Sequence, residues 1–228
     1  MSELLVWFIR HAESESNAGF AMQDTRTVPL TQKGIEQAQR FAQVFTTAPS
    51  LVVTSPYRRS QQTAKPTIER FPTVPQEIWP VEEFFYLAQF RGRLSTRQER
   101  KVVAEAYWQR CDPFDRASEG AETFAELVQR VQATLERLRQ QEQGFVAVFG
   151  HGHFMRVMYW LLLTGSFEVS PERMQQFRAI GRLFAVPNTS IIKLRFDSEV
   201  LWFSQVITAH LAVSGAQHQP GVDTAEPE

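Results

Sequence analysis

The stretch Leu4-Leu5-Val6-Trp7-Phe8-Ile9-Arg10-His11 decides how the rest of the chain is read. An unbroken apolar run, without the alternation of a half-wetted strand, marks a strand buried on both faces, as in a sheet covered by helices. The run then turns abruptly polar, from Arg10 through Asn17. Two further segments have the same character. Leu51–Thr54 (LVVT) leads into Ser55-Pro56-Tyr57-Arg58-Arg59, and Phe145–Phe149 (FVAVF) leads into Gly150-His151-Gly152-His153.

Helices are expected between these strands. Pro29-Leu30-Thr31 places Thr31 as the N-cap of an amphipathic helix running to about Phe45. Pro56 suits the opening of a second helix, roughly Tyr57 to Phe71. Pro72, Pro75 and Pro80 break the middle of the chain, where Ile78-Trp79 reads as a short strand. Ser95–Gln109 and Glu122–Gln141 read as helices separated by Asp112-Pro113, with Gly144 expected to cap the later one. Another helix follows His153. Asn188–Phe196 and Val200–Val206 form an expected hairpin around Asp197-Ser198-Glu199. Alternating buried strands and helices make an α/β sandwich. Residues 1–208 read as one domain, and residues 209–228, polar and containing Pro and Gly, as a disordered tail.

Composition narrows the function classes. The 228 residues carry a net charge of −1, so no overall field points to nucleic acid or a membrane surface. One cysteine, Cys111, rules out an intrachain disulfide and a cysteine-based zinc site. The apolar run from Phe154 to Leu163 is too short to span a bilayer and includes Arg156. The N-terminus enters a strand without a basic flank or cleavage pattern, so a cytoplasmic location is expected.

In open α/β sheets, ligands sit beyond the carboxyl ends of the strands. The three strands end in Arg10-His11, in Ser55 with Arg58 and Arg59, and in His151-Gly152-His153. Arginine forks match phosphate oxygens and stay charged at any working pH. Histidine near neutral pH serves as nucleophile or acid. Together they describe a phosphate pocket that contains a nucleophile.

Arg10-His11-Ala12-Glu13-Ser14 resembles the Arg-His-Gly-Glu-Ser/Thr signature of the histidine phosphatase superfamily, the phosphoglycerate mutase-like proteins. Pro29-Leu30-Thr31 with Gly34 and Gln37-Ala38, Ser55 through Ala64, His151-Gly152 with Arg156, and Asn188-Thr189-Ser190 resemble that family's later motifs, in family order. The resemblance implies a three-layer α/β/α sandwich with a mostly parallel central sheet, and a helical lid insertion around residues 84–118. It also implies a phosphomonoesterase with His11 as covalent nucleophile. Arg10, Asn17, Arg59 and Gly152 would bind the phosphate together with His151. Glu83, or Glu82 beside it, would be the acid that protonates the leaving oxygen. No cofactor and no metal is called for, because the arginines supply the positive charge. The substrate would be a phosphorylated small molecule, or a phosphoprotein if the site is open. A phosphomutase of the same superfamily and a non-catalytic phospholigand-binding module are the alternatives, and the oligomeric state is not legible.

Departures from the family pattern are Ala12 for Gly, Thr27-Val28 where many members carry Asp, and Leu87 for Gly after Tyr86. His153 reads as pocket rim or helix start, and Arg58 and Arg156 as peripheral. Glu122-Thr123 reads equally as helix start or pocket wall. Arg91, Arg93, Arg97, Arg100 and Lys101 read as a solvated face or as partners of an anionic substrate.

Overall fold

The computed structural model describes residues 3–141, 143–181, 183–197 and 200–211. The elements run β1 (Leu4–Arg10), α1 (Gln32–Ala42), β2 (Leu51–Thr54), α2 (Arg58–Arg70), β3 (Gln76–Ile78), α3 (Arg97–Arg110) and α4 (Phe124–Arg139). They continue with β4 (Gly144–Gly150), α5 (Gly152–Thr164), α6 (Pro171–Gly181), β5 (Ile191–Phe196) and β6 (Leu201–Phe203). Short 3-10 turns lie at Ala88–Phe90 and Ala209–Leu211.

The six strands form one sheet in the order β3-β2-β4-β1-β5-β6. The pairings β3–β2, β2–β4 and β4–β1 are parallel, whereas β1–β5 and β5–β6 are antiparallel. Alternate residues face opposite ways, and both faces are buried. Leu4, Val6 and Phe8 of β1 join Val146 and Val148 of β4 in a core closed by α4, α5, α6 and the Ala104, Tyr107 and Trp108 side of α3. Trp7 and Ile9, with Ala147 and Phe149, meet Phe41, Phe45 and Ala64 on the α1–α2 side. This is the three-layer α/β/α sandwich, and the double burial is why the first strand is apolar from Leu4 to Ile9. No helix among the described residues is long and apolar enough to cross a membrane.

Capping chemistry sets several helix starts. The Thr31 side chain accepts from the Gly34 N–H, and Thr96 and Thr123 each form a reciprocal capping box, with Glu99 and Glu126. Glu122-Thr123 is therefore a helix start. Other boundaries differ from the sequence reading. α1 stops at Ala42 because Phe45 leaves the helical path to stack on Trp7 at 5.2 Å. Gly144 does not cap α4, whose C-cap is Gln140; it opens β4 with φ 126°, where an added Cβ would sit 2.5 Å from Ser50 Oγ. β3 ends at Ile78, since Trp79 turns into the core. α6, opened by Pro171, was not anticipated separately from α5.

Asn188-Thr189-Ser190 is a turn rather than a strand, with Thr189 at φ 59°, and the antiparallel pair shortens to Ile191–Phe196 and Leu201–Phe203. Ser198 and Glu199 of the expected hairpin turn lie outside the described residues. Of the expected tail, Ala209–Leu211 forms a turn in which His210 Nε2 meets the Thr189 carbonyl at 2.8 Å. Residues 212–228 lie outside the described residues.

The parallel register has one functional consequence. Arg10 of β1 is level with Gly150 of β4, and Thr54 of β2 with Phe149, so β1, β4 and β2 end together. Pairing continues one step further: the His11 N–H donates to the Gly150 carbonyl at 3.0 Å and the Ser55 N–H to the Phe149 carbonyl at 3.2 Å. His11, Ser55 and His151 are thereby set side by side.

Phe8 has no exposed surface and its ring stacks on Phe154 at 6.3 Å. Phe8→Ala is expected to lower unfolding free energy by about 3–5 kcal/mol, read as a shifted midpoint in urea-induced unfolding.

Candidate active site

His11 is buried, with 1% of its surface exposed. Its Nδ1 lies 2.7 Å from the Ala12 carbonyl oxygen. A carbonyl can only accept, so Nδ1 carries the ring proton. Nε2 is then the basic nitrogen, and it accepts from the Arg59 Nε–H at 3.1 Å. Burial, followed by the charges of Arg59 and Arg10, holds the pKa of His11 well below the ordinary 6.5. The imidazole is neutral, with its lone pair on the nitrogen that faces Arg59.

The surrounding main chain fixes that ring. Asn188 Nδ2 donates to the His11 carbonyl at 2.8 Å, and the Ala12 N–H donates to Thr63 Oγ1 at 2.9 Å. Thr63 in turn donates to the Arg59 carbonyl at 2.6 Å, tying the start of α2 to the loop after β1.

Of the adjacent arginines, Arg59 turns inward and is 5% exposed, while Arg58 is exposed. Arg59 also donates to the Thr25 carbonyl and lies over the Tyr57 ring at 5.0 Å. Arg10 is held by its Nη1 donating to the Val186 carbonyl at 2.7 Å. Asn17 lines the same cavity as His11, and its Oδ1 is occupied by Ser14 and Asn188, so what it offers an anion is amide N–H. A Cβ at Gly152 would stand 3.4 Å from Arg10 Nε and 3.6 Å from Glu83 Oε2. Any larger residue would thus project into the space between these groups.

His151 caps α5 and is fully buried, with its ring 5.0 Å from that of His11. Its Nε2 is 2.7 Å from Ser55 Oγ, which also accepts from the Tyr57 N–H at 3.1 Å. When the hydroxyl donates its proton to Nε2, the His151 proton is on Nδ1. That Nδ1 is buried and has no hydrogen-bond partner. In that tautomer it is a donor without an acceptor. Burial, then Arg59 and His11, lowers the pKa of His151 well below the usual histidine value.

Glu83 reaches this cavity and Glu82 does not. Glu82 lies on the side of Arg130, which accounts for the difference: Arg130 donates to the Pro80 and Glu82 carbonyls, each at 2.9 Å, and grips Glu122 with Nε and Nη2. Glu122 completes the clamp by accepting the Phe85 N–H at 3.2 Å. Glu83 is pinned by the Phe84 and His153 N–H groups, both to Oε1, at 3.0 and 2.9 Å. Burial alone would raise its pKa. The charge and hydrogen bond of His153, with His151 and Arg59 behind them, outweigh that and hold the carboxyl well below its ordinary range.

Residues 6–207 match the sequence profile of the Histidine phosphatase superfamily (branch 1). The chain belongs to that superfamily. This histidine phosphatase is 30% identical over 166 residues to the adenosylcobalamin/alpha-ribazole phosphatase of Salmonella typhimurium strain LT2, covering 70% of this chain and 79% of that protein. It is 28% identical over 181 residues to the protein of the same name from Escherichia coli K12, covering 76% and 84%. Its fold is similar to that of the alpha-ribazole phosphatase of Shigella flexneri, with TM-score 0.66, 23% identity and coverage of 89% and 95%. It is similar also to the phosphoserine phosphatase of Entamoeba histolytica solved with 3-phosphoglyceric acid, with TM-score 0.70, 21% identity and coverage of 91% and 99%.

In this histidine phosphatase His11, Asn17, Arg59 and Glu83 line one cavity. His151 adjoins His11, and Gly152 lies where an added Cβ would approach both Glu83 Oε2 and Arg10 Nε. Arg10 itself lines a second cavity with Glu13 and Lys33. Four participants were not recognised from sequence: Ser55 as the partner of His151, Asn188 as the anchor of His11, Arg130 as the clamp, and His153 as the partner of Glu83. His153, read as pocket rim or helix start, is the second residue of α5 and lines the cavity. It is 5% exposed and stacks on Trp108 at 6.1 Å. Arg156 stays peripheral, donating to the Phe184 carbonyl. Among the described residues, no group of three or more His, Cys, Asp or Glu side chains is placed to hold a metal ion.

The buried charges predict how stability responds to pH. His11 and His151 stay neutral in the fold but can charge in the unfolded chain, so below the ordinary value of 6.5 the unfolded state binds more protons and stability falls. Glu83, whose carboxyl is held below its ordinary 4.5, adds stability above that value which is lost as pH drops through its folded pKa. The urea midpoint is expected to decline steadily below about pH 6.5. The double variant His11→Asn, His151→Asn should lose the upper part of that slope and keep the fall in the carboxylate range.

Proposed function

We propose that this histidine phosphatase hydrolyses small phosphate monoesters through a phosphohistidine on His11, without a metal ion. The observation that carries the reading is the neutral His11 ring, with its basic Nε2 3.1 Å from the buried Arg59 guanidinium. A phosphoryl group entering there would meet Arg59, Arg10, the Asn17 amide and the Nδ1–H of His151. These are fixed donors for the charge that spreads over the equatorial oxygens during transfer. The Nε2 lone pair forms the bond to phosphorus as the ester oxygen leaves, and that oxygen takes a proton from the Glu83 carboxyl. Glu83, then ionised, removes a proton from water, whose oxygen attacks the phosphohistidine and releases phosphate and neutral His11. The arginines supply the positive charge that a metal ion supplies elsewhere.

Two observations favour hydrolysis of a small molecule. Glu83 lines the cavity with His11, which weighs against a binding module without turnover. The cavity volume of about 90 Å³ falls short of the several hundred Å³ of drug-sized ligand sites, so a compact substrate fits better than a phosphoprotein. Phe84, Phe85, Tyr86, Leu87 and Phe90 wall it on one side and Arg91, Arg97 and Lys101 stand at the same cavity, the part that residues 84–118 would play as a lid. The relatives named as phosphatases, rather than mutases, point the same way.

His11→Ala is expected to lower kcat by about a thousandfold or more. Rapid acid-free quenching of the wild-type enzyme with p-nitrophenyl phosphate should trap an acid-labile, alkali-stable phosphoenzyme. Chelators should leave the rate unchanged. Undiminished turnover in His11→Ala, or loss of activity in chelator, would refute the reading.

A further inference from the structure

The acid step proposed above needs a proton on Glu83, whose surroundings favour the ionised carboxylate. Its Oε1 accepts two backbone N–H groups and lies 3.4 Å from His153 Nδ1, while Oε2 lies on the side of Gly152, where Arg10 Nε also stands. The carboxylate therefore bridges an imidazole and the reaction site. His153 is held in that position from all sides: its ring stacks on Trp108 and meets Phe84 and Tyr86 edge-on. An aromatic cage of this kind would suit a phenylalanine equally well, so packing alone gives no reason for an imidazole here.

We propose that Glu83 and His153 share one proton as a dyad, in which His153 stores the proton that Glu83 delivers to the leaving oxygen. This rests on the phosphohistidine reading above. In the proposed cycle the shared proton starts on Nδ1, beside the carboxylate. Arrival of a phosphate dianion next to Glu83 makes an ionised carboxylate unfavourable, and the proton passes from Nδ1 to Oε1. A half-turn about Cγ–Cδ, a soft two-fold torsion, carries the protonated oxygen to the cavity and presents the other oxygen to the same two N–H groups. The leaving oxygen takes the proton as the P–O bond breaks and the Nε2–P bond forms. In the second half, Glu83 takes a proton from the attacking water and returns it to His153. Nothing is oxidised or reduced, and the dyad ends as it began. His153 touches no reacting atom; it is a positioning residue that acts through Glu83.

Other charges bear on the pair. On the phosphate side stand His11, His151, Arg10 and Arg59, with the Tyr57 phenol beyond. On the side of α3 the same cavity includes Arg100 and Lys101, and the Tyr86 phenol accepts from the Trp108 indole. His11 and His151 are held neutral, the guanidinium and ammonium groups stay charged, and the Tyr57 phenol is pushed up to about 12, which leaves Glu83 and His153 as the pair that exchanges a proton in the acid step.

The test compares glycerol 2-phosphate, a poor leaving group, with p-nitrophenyl phosphate, which needs little protonation. In His153→Asn the amide replaces Nδ1 as a hydrogen-bond donor but has no proton to lend. With glycerol 2-phosphate, kcat at neutral pH is expected to fall about 10- to 100-fold, and the basic limb of the pH profile to move at least about one unit lower, toward the carboxylate range. With p-nitrophenyl phosphate the loss should stay under about threefold, and the phosphohistidine should still form. If His153→Asn folds poorly, His153→Phe preserves the stack on Trp108 and should displace the limb in the same way. Equal losses on both esters, or an unmoved basic limb, would overturn the dyad. Absence of the phosphohistidine in the wild-type enzyme would instead remove the parent reading, and the dyad with it.

Discussion

Three neighbouring strands that run in the same direction and in one register must end along a single edge, and the site depends on that constraint. β1, β4 and β2 are held parallel by pairings that reach Arg10 with Gly150 and Thr54 with Phe149. The next residue of each strand cannot avoid its neighbours. Two histidines with ring centres 5.0 Å apart, on segments some 140 positions apart in sequence, follow from backbone hydrogen bonding before any side-chain interaction is considered. The packing of both faces makes that register costly to change. A one-residue slip would exchange the Val6 and Phe8 face for the Trp7 and Ile9 face and empty both cores.

On this scaffold the electrostatics are arranged by burial. Cations that would be screened at a surface act at short range on groups removed from water. The effect on the two histidines is to keep them uncharged, which a nucleophile requires. The effect on Glu83 is the opposite, because a carboxylate among guanidinium and imidazole groups prefers its ionised form. In the proposed mechanism one cationic environment thus prepares the nucleophile and works against the acid. The proposed pairing with His153 would resolve that conflict by keeping a proton within reach of the carboxylate.

The legible part of the molecule was the part written in consecutive residues. The strand at Leu4–Arg10 announced itself by its unbroken apolar run, and Arg10-His11, Arg59 and His151 were visible because each directly follows a strand or opens a helix. Thr31 could be read as a cap because its bond reaches only three residues ahead. What stayed hidden were contacts with no local signature. Asn188 supports His11 from 177 positions away, and Glu83 meets the His153 N–H from 70. Gly144 misled because a glycine just after a helix resembles a cap, whereas here the pressure comes from Ser50, which lies across the sheet. His153 was legible as pocket rim or helix start, but not its burial, because the sequence does not reveal that Trp108 and Tyr86 pack against it.

Arg130 joins two places that the chain separates widely. It holds the carbonyls of Pro80 and Glu82, where the chain enters the 84–118 segment, and Glu122, just after the chain leaves it. The segment is consequently a loop sewn shut at its base, with the stitch on α4 rather than on the sheet. Closing such a loop costs little more when it is lengthened, since the entropic term grows only with the logarithm of its length. Exposed residues beyond the stitch, such as Arg97 and Val102, can change without disturbing the clamp, whereas Tyr86, Ala104, Tyr107 and Trp108 are bound into the core. A single guanidinium thus fixes both ends of a segment whose inner face is core and whose outer face is free to vary.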